Sequence, residues 1–453
     1  MGTLRSFRNQ NKNCYLLPSP SKVKYLIRAG FYYGNYDGVG KPPTFDLMID
    51  ANKWVTVVTS MENPILEEAI YAAKGDTISI CLARTQADQI PFISSVEAMP
   101  LTETMYGKMN RNYAWFLNYR VHFGGTDVIG YPDDEYNRMW NPFPTPSLRT
   151  IIANFTELTG NCADDPPVAA ILHAVEATNN TSSISLSFNF TGTSRSNYLA
   201  LYFTEVGQLG ADRRRAFNIT IDGRDYGLTV APRYQICDEV NATTDPAVGV
   251  MNISISPLED SNLPPVISAA EVYTASPTLV EGSHQADLDG LETLKNAFNQ
   301  LQAWTGDPCL PNNTVWEWLG CNADDPPRVT SLYMDGNHLG GEIPDFLGSL
   351  PNLRQLNLAY NNLEGFVPRS LTSNKNIRYN VTGNPSLEQQ PKAEGKGKKV
   401  LNALWSLVLL GLIGYGVWWC CCRPRRDVVL VAPPPQQQST MIHMETRATV
   451  VTG

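Results

Sequence analysis

A chain of 453 residues with a formal net charge of −9 exceeds what one hydrophobic core usually serves, so several domains are expected. The acidic balance supplies no broad basic surface, which argues against nucleic acid as a partner. Of the nine cysteines, Cys14, Cys81, Cys162, Cys237, Cys309 and Cys321 are dispersed, whereas Cys420, Cys421 and Cys422 are adjacent.

The first residues, MGTLRSFRNQNKNCYLLP, contain no apolar run of signal-peptide length. From there to about Tyr273 short β-branched and aromatic runs alternate with turn residues, as in KYLIRAGFYY, KWVTVVTS, DTISICLA, ISLSFNF and VMNISISPL, a spacing that predicts all-β sandwiches. In NYLALYFTEV the period of two places Leu199, Leu201 and Phe203 on one face of a half-buried strand. Asp222-Gly223 predicts a hairpin turn, because this pair tolerates positive φ.

The period then changes. Leu288, Leu291, Leu294, Phe298, Leu301 and Trp304 recur at steps of three and four, predicting an amphipathic helix over 287–304 with Asp287 as N-cap. LYMDGNHLGGEIP from Leu332 and LNLAYNNLEGFVP from Leu356 then superpose with a period of 24, bringing Asn337 over Asn361 and Leu339 over Leu363. This is a leucine-rich repeat, with a degenerate third copy around IRYNVTGNPSL. Residues 386–399 are Lys/Gly/Glu-rich and predict a stalk. Residues 400–419 run without a charge over a length that matches a hydrocarbon core of roughly 30 Å, with Trp405, Tyr415, Trp418 and Trp419 toward the two ends, and predict one transmembrane helix. The tail, 420–453, carries PPPQQQ and shows no Gly-rich loop, V-A-I-K, H-R-D or D-F-G, so neither a kinase nor any other enzyme is expected of the chain.

Nine N-x-S/T acceptors, at Asn154, Asn179, Asn180, Asn189, Asn218, Asn241, Asn252, Asn312 and Asn380, all precede the apolar span. With an even count of dispersed cysteines they place the N-terminal side outside the cell, in an oxidising compartment. A single-pass plasma-membrane protein of this orientation needs a leader, and its absence at Met1 predicts an incomplete gene model or an alternative start. Cys420, Cys421 and Cys422, at the cytosolic edge, suit S-palmitoylation.

YLIRAGFYYGNYDG from Tyr25, TQADQIPFISSVEAMPL from Thr85, YPDDEYNRMW from Tyr131, LYFTEVGQLGADRRRAFNITIDG from Leu201 and SNLPPVISAAEVY from Ser261 resemble successive signature blocks of the plant malectin-like domain. WTGDPCLPNNTVWEWLGC, from Trp304, is similar to the linker into the repeats of malectin-like receptor kinases. The resemblance implies a mainly β protein: two tandem malectin-like β-sandwiches over 1–275, N-terminally incomplete, with halves of about 1–105 and 106–275. A helix and repeats over 284–385 follow, and then the membrane helix. It also implies that Cys309 pairs with Cys321 in the cap of the first repeat. For Cys14, Cys81, Cys162 and Cys237 three connectivities are open, with Cys14–Cys81 preferred.

Malectin stacks glucose oligomers on an aromatic pair that follows a strand ending FAEV. In the second sandwich Gly207 and Gln208 take the pair's places, but in the first IRAGF runs into Tyr32, Tyr33, Asn35, Tyr36 and Asp37. These five are the candidate ligand site, with rings to pack on a sugar and amide and carboxylate groups to bond its hydroxyls. The competing readings are a loop fixing the contact between the sandwiches and a peptide contact. The paired acids Asp133-Asp134, Asp164-Asp165 and Asp324-Asp325 read as turns or caps rather than a glycosidase dyad. No metal-ligand spacing and no cofactor motif is present. The implied function is a receptor-like protein that binds extracellular carbohydrate or a secreted peptide and signals, if at all, through a partner such as a receptor kinase co-receptor. The alternative is a cell-wall carbohydrate anchor.

Overall fold

The computed structural model describes residues 2–388 apart from Ser21. The expected membrane helix at 400–419, most of the stalk, the tail and Cys420, Cys421 and Cys422 lie outside the described residues. Among the described residues no helix is long and apolar enough to cross a membrane. The chain is mainly β, and Met1–Gln390 forms one compact unit.

One mixed sheet runs through both sandwich regions, antiparallel in the order Asp238–Thr243, Asn197–Phe203, Ala269–Ala275, Trp115–Phe123, Ile65–Ala72, Lys24–Phe31 and Ser95–Pro100, with Asn141–Phe143 added parallel to the end of Trp115–Phe123. Its seam is narrow. Trp115–Phe123 pairs with Ala269–Ala275 along most of its length but meets Ile65–Ala72 only at Trp115↔Ile70 and Phe116↔Ala69. A four-stranded sheet stacks on each half. Lys12–Pro18, Thr77–Arg84, Thr44–Ile49 and Asn52–Val58 cover the first, and Ile184–Arg195, Ala247–Pro257, Phe217–Ile221 and Arg224–Val230 cover the second. Between the layers lie two apolar cores. Ile27, Phe31, Leu47 and Ile80 belong to the first, and Leu199, Leu201, Val272 and Ile253 to the second.

The opposite face of the shared sheet is covered as well. Tyr198, Ala200 and Tyr202 pack there with Tyr106, Trp140 and Tyr273, so every residue of Asn197–Phe203 is buried, not only the Leu199 face. The half-buried strand expected from alternation is therefore corrected: large tyrosine rings build a second core where polar side chains on a solvated face would be usual. On this face Arg28, Glu68, Arg120 and Glu271 form a line of charges. Arg28 Nη2 lies 2.6 Å from Glu68 Oε2, Arg120 Nη2 2.6 Å from Glu68 Oε1, and Arg120 Nε 2.5 Å from Glu271 Oε1. Arg28↔Glu68 and Arg120↔Glu271 are direct cross-strand neighbours, so the sheet register itself sets the pairing. Glu68 reaches over the seam to Arg120, which ties one sandwich to the other. Glu271 also accepts from the hydroxyls of Tyr106, Tyr202 and Tyr273. Burial by itself would raise its carboxyl, but Arg120 and Arg138 hold it below the usual range.

After Ala275 the chain returns to the first sandwich. Asn52 and Val280 exchange hydrogen bonds of 2.9 and 3.2 Å. The helix spans Gln285–Ala297 rather than 287–304, and its N-cap is His284, whose Nδ1 accepts from the Ala286 N–H. Asp287 is not the cap. Its carboxylate instead takes Arg328, 2.8 Å away, and the Val329 N–H. The helix ends where Phe298 turns extended, at φ −127° and ψ 107°.

The repeats stack Val329–Tyr333, Gln355–Asn357 and Arg378–Asn380 as parallel strands, with Leu332↔Leu356↔Tyr379 in register. Asn361 and Asn384 are buried and bond backbone groups inside the bends, whereas Asn337, at the first turn, is exposed. Leu319–Cys321 closes the solenoid antiparallel to its first strand, and Cys309–Cys321 pins that cap with an S–S distance of 2.02 Å.

The cap segment lies on the outside of the first sandwich. Lys12 Nζ donates to the carbonyls of Asp307 and Leu310 at 2.8 and 2.7 Å, and Asn11 Nδ2 donates to Val315 O at 2.7 Å. Burial, opposed by Asp307, lowers the Lys12 ammonium to about 8. Beneath the segment Cys14 and Cys81, cross-strand partners, are disulfide-bonded. Gly306 passes directly over them. With φ at +79°, a Cβ there would stand 2.4 Å from Cys14 Sγ and 2.8 Å from Cys81 Sγ.

Gly306→Ala is therefore expected to destabilise the protein by about 1–3 kcal/mol through overpacking and an unfavourable φ. Gly207→Ala, with nothing within 4 Å of its Cβ, is the control. Chemical denaturation of the two variants measures the difference. Arg120→Met, which takes one of two cations from Glu68 and leaves Glu271 with Arg138 but without its direct ion pair, is expected to cost about 3–5 kcal/mol in the same assay.

Candidate ligand-binding site

Lys24–Phe31 delivers the chain into the loop over residues 32–41, where Gly34, Asn35, Gly38 and Gly40 all have positive φ. Tyr33 organises this loop from within. Its ring is 1% exposed, packed in the first core against Phe92 and Tyr36. Its hydroxyl donates to Asp37 Oδ1 at 2.5 Å and accepts from the Lys41 N–H at 3.2 Å. Burial and then the Asp37 bond raise the Tyr33 phenol, and the same bond lowers the Asp37 carboxyl. Asn35 Oδ1 accepts from the Gly40 N–H at 2.7 Å, and Asp37 also accepts from the Val39 N–H.

Tyr33 is thus a core residue and offers no ring to a sugar, which corrects the stacking role expected of it. Its position two residues beyond Phe31 continues the inward face of the strand. Tyr32 and Tyr36 are half-buried, and Asn35 and Asp37 are exposed. The Tyr33 and Tyr36 rings meet edge to face at 79°, so they form no flat platform. The loop's contacts run to Phe92 and Ser94 in the first sandwich.

Two of the three acid pairs are divided by the fold. Asp133 is exposed, while Asp134 is buried and accepts from Arg138 Nε at 2.9 Å and Trp140 Nε1 at 2.8 Å. Asp324 and Asp325 are exposed. Asp164 is buried beside the Cys162–Cys237 disulfide, accepts from the Tyr106 N–H and the Tyr198 hydroxyl, and donates its own N–H to Glu239 Oε2 at 3.0 Å. Burial first, then Glu239, pushes its carboxyl up to about 8. Among the described residues no group of His, Cys, Asp and Glu forms a metal-binding cluster.

Seven of the sequon asparagines, Asn154, Asn179, Asn180, Asn189, Asn252, Asn312 and Asn380, are exposed, and Asn218 and Asn241 are half-buried. Asn189, Asn218 and Asn252 share the outward face of the second four-stranded sheet, since their strand neighbours Phe188, Ile219 and Met251 point into the core. The sequence reading missed a cleft of about 540 Å³ between the first sandwich and Gln285–Ala297. No local motif signals it, because its walls are more than 200 residues apart in the chain.

A malectin-like domain model matches residues 1–275, and a leucine-rich repeat model matches 328–350 and 352–374. The chain belongs to the malectin-like domain family. Among curated Arabidopsis thaliana proteins, this malectin-like chain is 31% identical over 362 residues to the probable LRR receptor-like protein kinase At1g51890, covering 78% of this chain and 41% of that protein. It is 30% identical to the probable LRR receptor-like serine/threonine-protein kinase MEE39, covering 78% and 40%. The matched regions are malectin-like and repeat segments, not a kinase domain. The ANXUR1 extracellular domain of Arabidopsis thaliana shares the fold, with a TM-score of 0.52, 16% identity, and coverage of 61% of this chain and 84% of that one. A solved plant complex of RALF23 peptide with FER and LLG2 includes a similar chain, with a TM-score of 0.50, 14% identity, and coverage of 61% and 83%.

Tyr33→Ala is expected to lower stability by about 3–5 kcal/mol, as for other buried rings, and to reduce secretion. Tyr32→Ala, at the half-buried neighbour, leaves the melting temperature within a few degrees in a thermal scan. The raised Asp164 carboxyl binds a proton in the folded state that the unfolded chain has lost. Its contribution is full below about pH 4 and disappears as pH rises through about 8. Asp164→Asn should flatten the fall in melting temperature across that window.

Proposed function

We propose that this chain is a single-pass plasma-membrane receptor-like protein whose extracellular side binds a ligand and which acts through a partner. The observation that carries the reading is the pairing of all six dispersed cysteines, Cys14–Cys81, Cys162–Cys237 and Cys309–Cys321, within a malectin-like fold. Three disulfides at separate places in a protein of this size fit an oxidising extracellular compartment. The exposed sequon asparagines and the apolar segment at 400–419 support the same orientation, N-terminus outside.

A secreted peptide is the favoured ligand class over carbohydrate. Support comes from the peptide and LLG2 seen with a fold neighbour, and from the loop over 32–41, whose central ring serves the core. The same complex supports a co-receptor as the signalling partner. In this reading the malectin-like and repeat segments form the sensing part, and catalysis belongs to the partner.

The topology is tested by expressing the chain behind a secretion signal. Glycosidase treatment of the membrane fraction is expected to lower its apparent mass by several glycans. Thiol reagents applied without reductant are expected to leave the six dispersed cysteines unlabelled. An unchanged mass, with all six cysteines labelled, would refute the orientation.

A further inference from the structure

The cleft between the first sandwich and Gln285–Ala297 has the chemistry of a peptide site. One wall is the end of the first sandwich, with Leu16, Asp50 and Tyr71, and the other is the helix with Leu288, Leu291 and Asp289. The returning segment at Val280–Gly282 and the cap residues Thr305–Pro308 close its ends. Its volume of about 540 Å³ is that of an ordinary ligand pocket.

Two properties of the lining point to the occupant. The first is charge: Asp50, Glu281, Asp289, Glu292 and Asp307 contribute five carboxylates against Lys74 and Lys295. Lys295 and Glu292 are paired with each other at 2.9 Å and answer one another, so four carboxylates stand against Lys74. Asp50 and Asp307 act on each other as like charges, adding to the burial that raises the Asp50 carboxyl. A cation placed in the cleft would relieve that repulsion.

The second is an apolar surface. Leu16 is 50% exposed and Val280 40% exposed, both at the cleft, beside the buried Leu291 and Trp316. Trp316 is 3% exposed and packs against Trp304 and Trp318. No sequon asparagine is among the lining residues, and none precedes Asn154, so the first-sandwich wall carries no acceptor for a covering glycan.

We infer that this cleft binds a short extended segment of a secreted peptide carrying Lys or Arg beside apolar side chains. Its cation sits among Asp50, Asp289 and Glu281, and its apolar side chains lie on Leu16, Leu288 and Val280. Because the walls come from the sandwich and from the helix that caps the repeats, the bound peptide bridges the two. This rests on the receptor reading above and adds to it the site and the class of peptide.

The test titrates the purified full-length chain with a fluorescein-labelled hexapeptide alternating arginine and leucine, read by anisotropy. A hexapeptide alternating glutamate and leucine and a glucose hexamer competitor run in parallel. The arginine peptide is expected to bind and to weaken with rising salt. The double variant Glu281→Lys/Asp289→Lys, at exposed positions, is expected to weaken it at least roughly tenfold with an unchanged melting temperature. Glu364→Lys, an exposed repeat residue outside the cleft, should leave affinity within about twofold. Equal binding of the glutamate peptide, equal losses in both charge variants, or no binding of the arginine peptide would overturn the inference. Displacement by the glucose hexamer would overturn the peptide class. If a natural secreted peptide binds the chain but ignores the double variant, the cleft is wrong and the receptor reading stands. Failure of the orientation is read separately, from the glycosidase and thiol results.

Discussion

Arg120 is the residue on which the two sandwiches depend. It sits on Trp115–Phe123, the strand that carries the shared sheet across the seam, and reaches Glu68 on one side and Glu271 on the other. The seam has only two backbone register pairs, Trp115↔Ile70 and Phe116↔Ala69, so main-chain bonding alone holds it weakly. A buried ion line gains little net stability over a well-packed apolar one, because desolvation offsets most of the attraction. What it does supply is geometry. A slip by one residue would turn a charge into an apolar core, so the register across the halves is fixed where the hydrogen bonds are too few to fix it.

The same economy of contact recurs where the repeats meet the first sandwich. The Cys14–Cys81 disulfide makes a smooth sulfur surface on the outer sheet, and Gly306 is the one residue type that lets the cap segment lie on it. Lys12 then reaches out of the sandwich into the carbonyls of that segment. A surface lysine so placed loses its hydration, and the lowered ammonium is the physical sign of it. The repeats are therefore not a separate module on a tether but part of one compact unit with the malectin-like region.

The second sandwich presents three sequon asparagines on its outer sheet, while the first has none, and the cleft lies on the first. Under the cleft proposal, a ligand held between the first sandwich and the helix touches the elements that set the position of the repeats. The YGNYDG loop, by contrast, is internally satisfied: Tyr33 ties Asp37 and Lys41 together, and the loop's polar groups bond one another.

The mainly β class, the hairpin at Asp222-Gly223 and the repeat period of 24 were all legible in the sequence, because each is a local rule: alternation, a turn pair that accepts positive φ, and leucines recurring in register. The signature blocks likewise pointed to the family. Alternation in Asn197–Phe203 told which residues share a face but not that tyrosines from Tyr106 and Tyr273 would cover the other. Asp287 looked like a cap until Arg328, 41 residues away, claimed it. Tyr33 looked like a ligand contact until the strand direction turned it inward. The cleft joins Leu16 and Asp50 to Asp289 and Trp316, and the contact of Lys12 with Asp307 spans 295 residues of chain. Local pattern determines which elements form and which side of each is apolar. Only the folded chain, by bringing distant segments within van der Waals and hydrogen-bond range, decides what lies against that side.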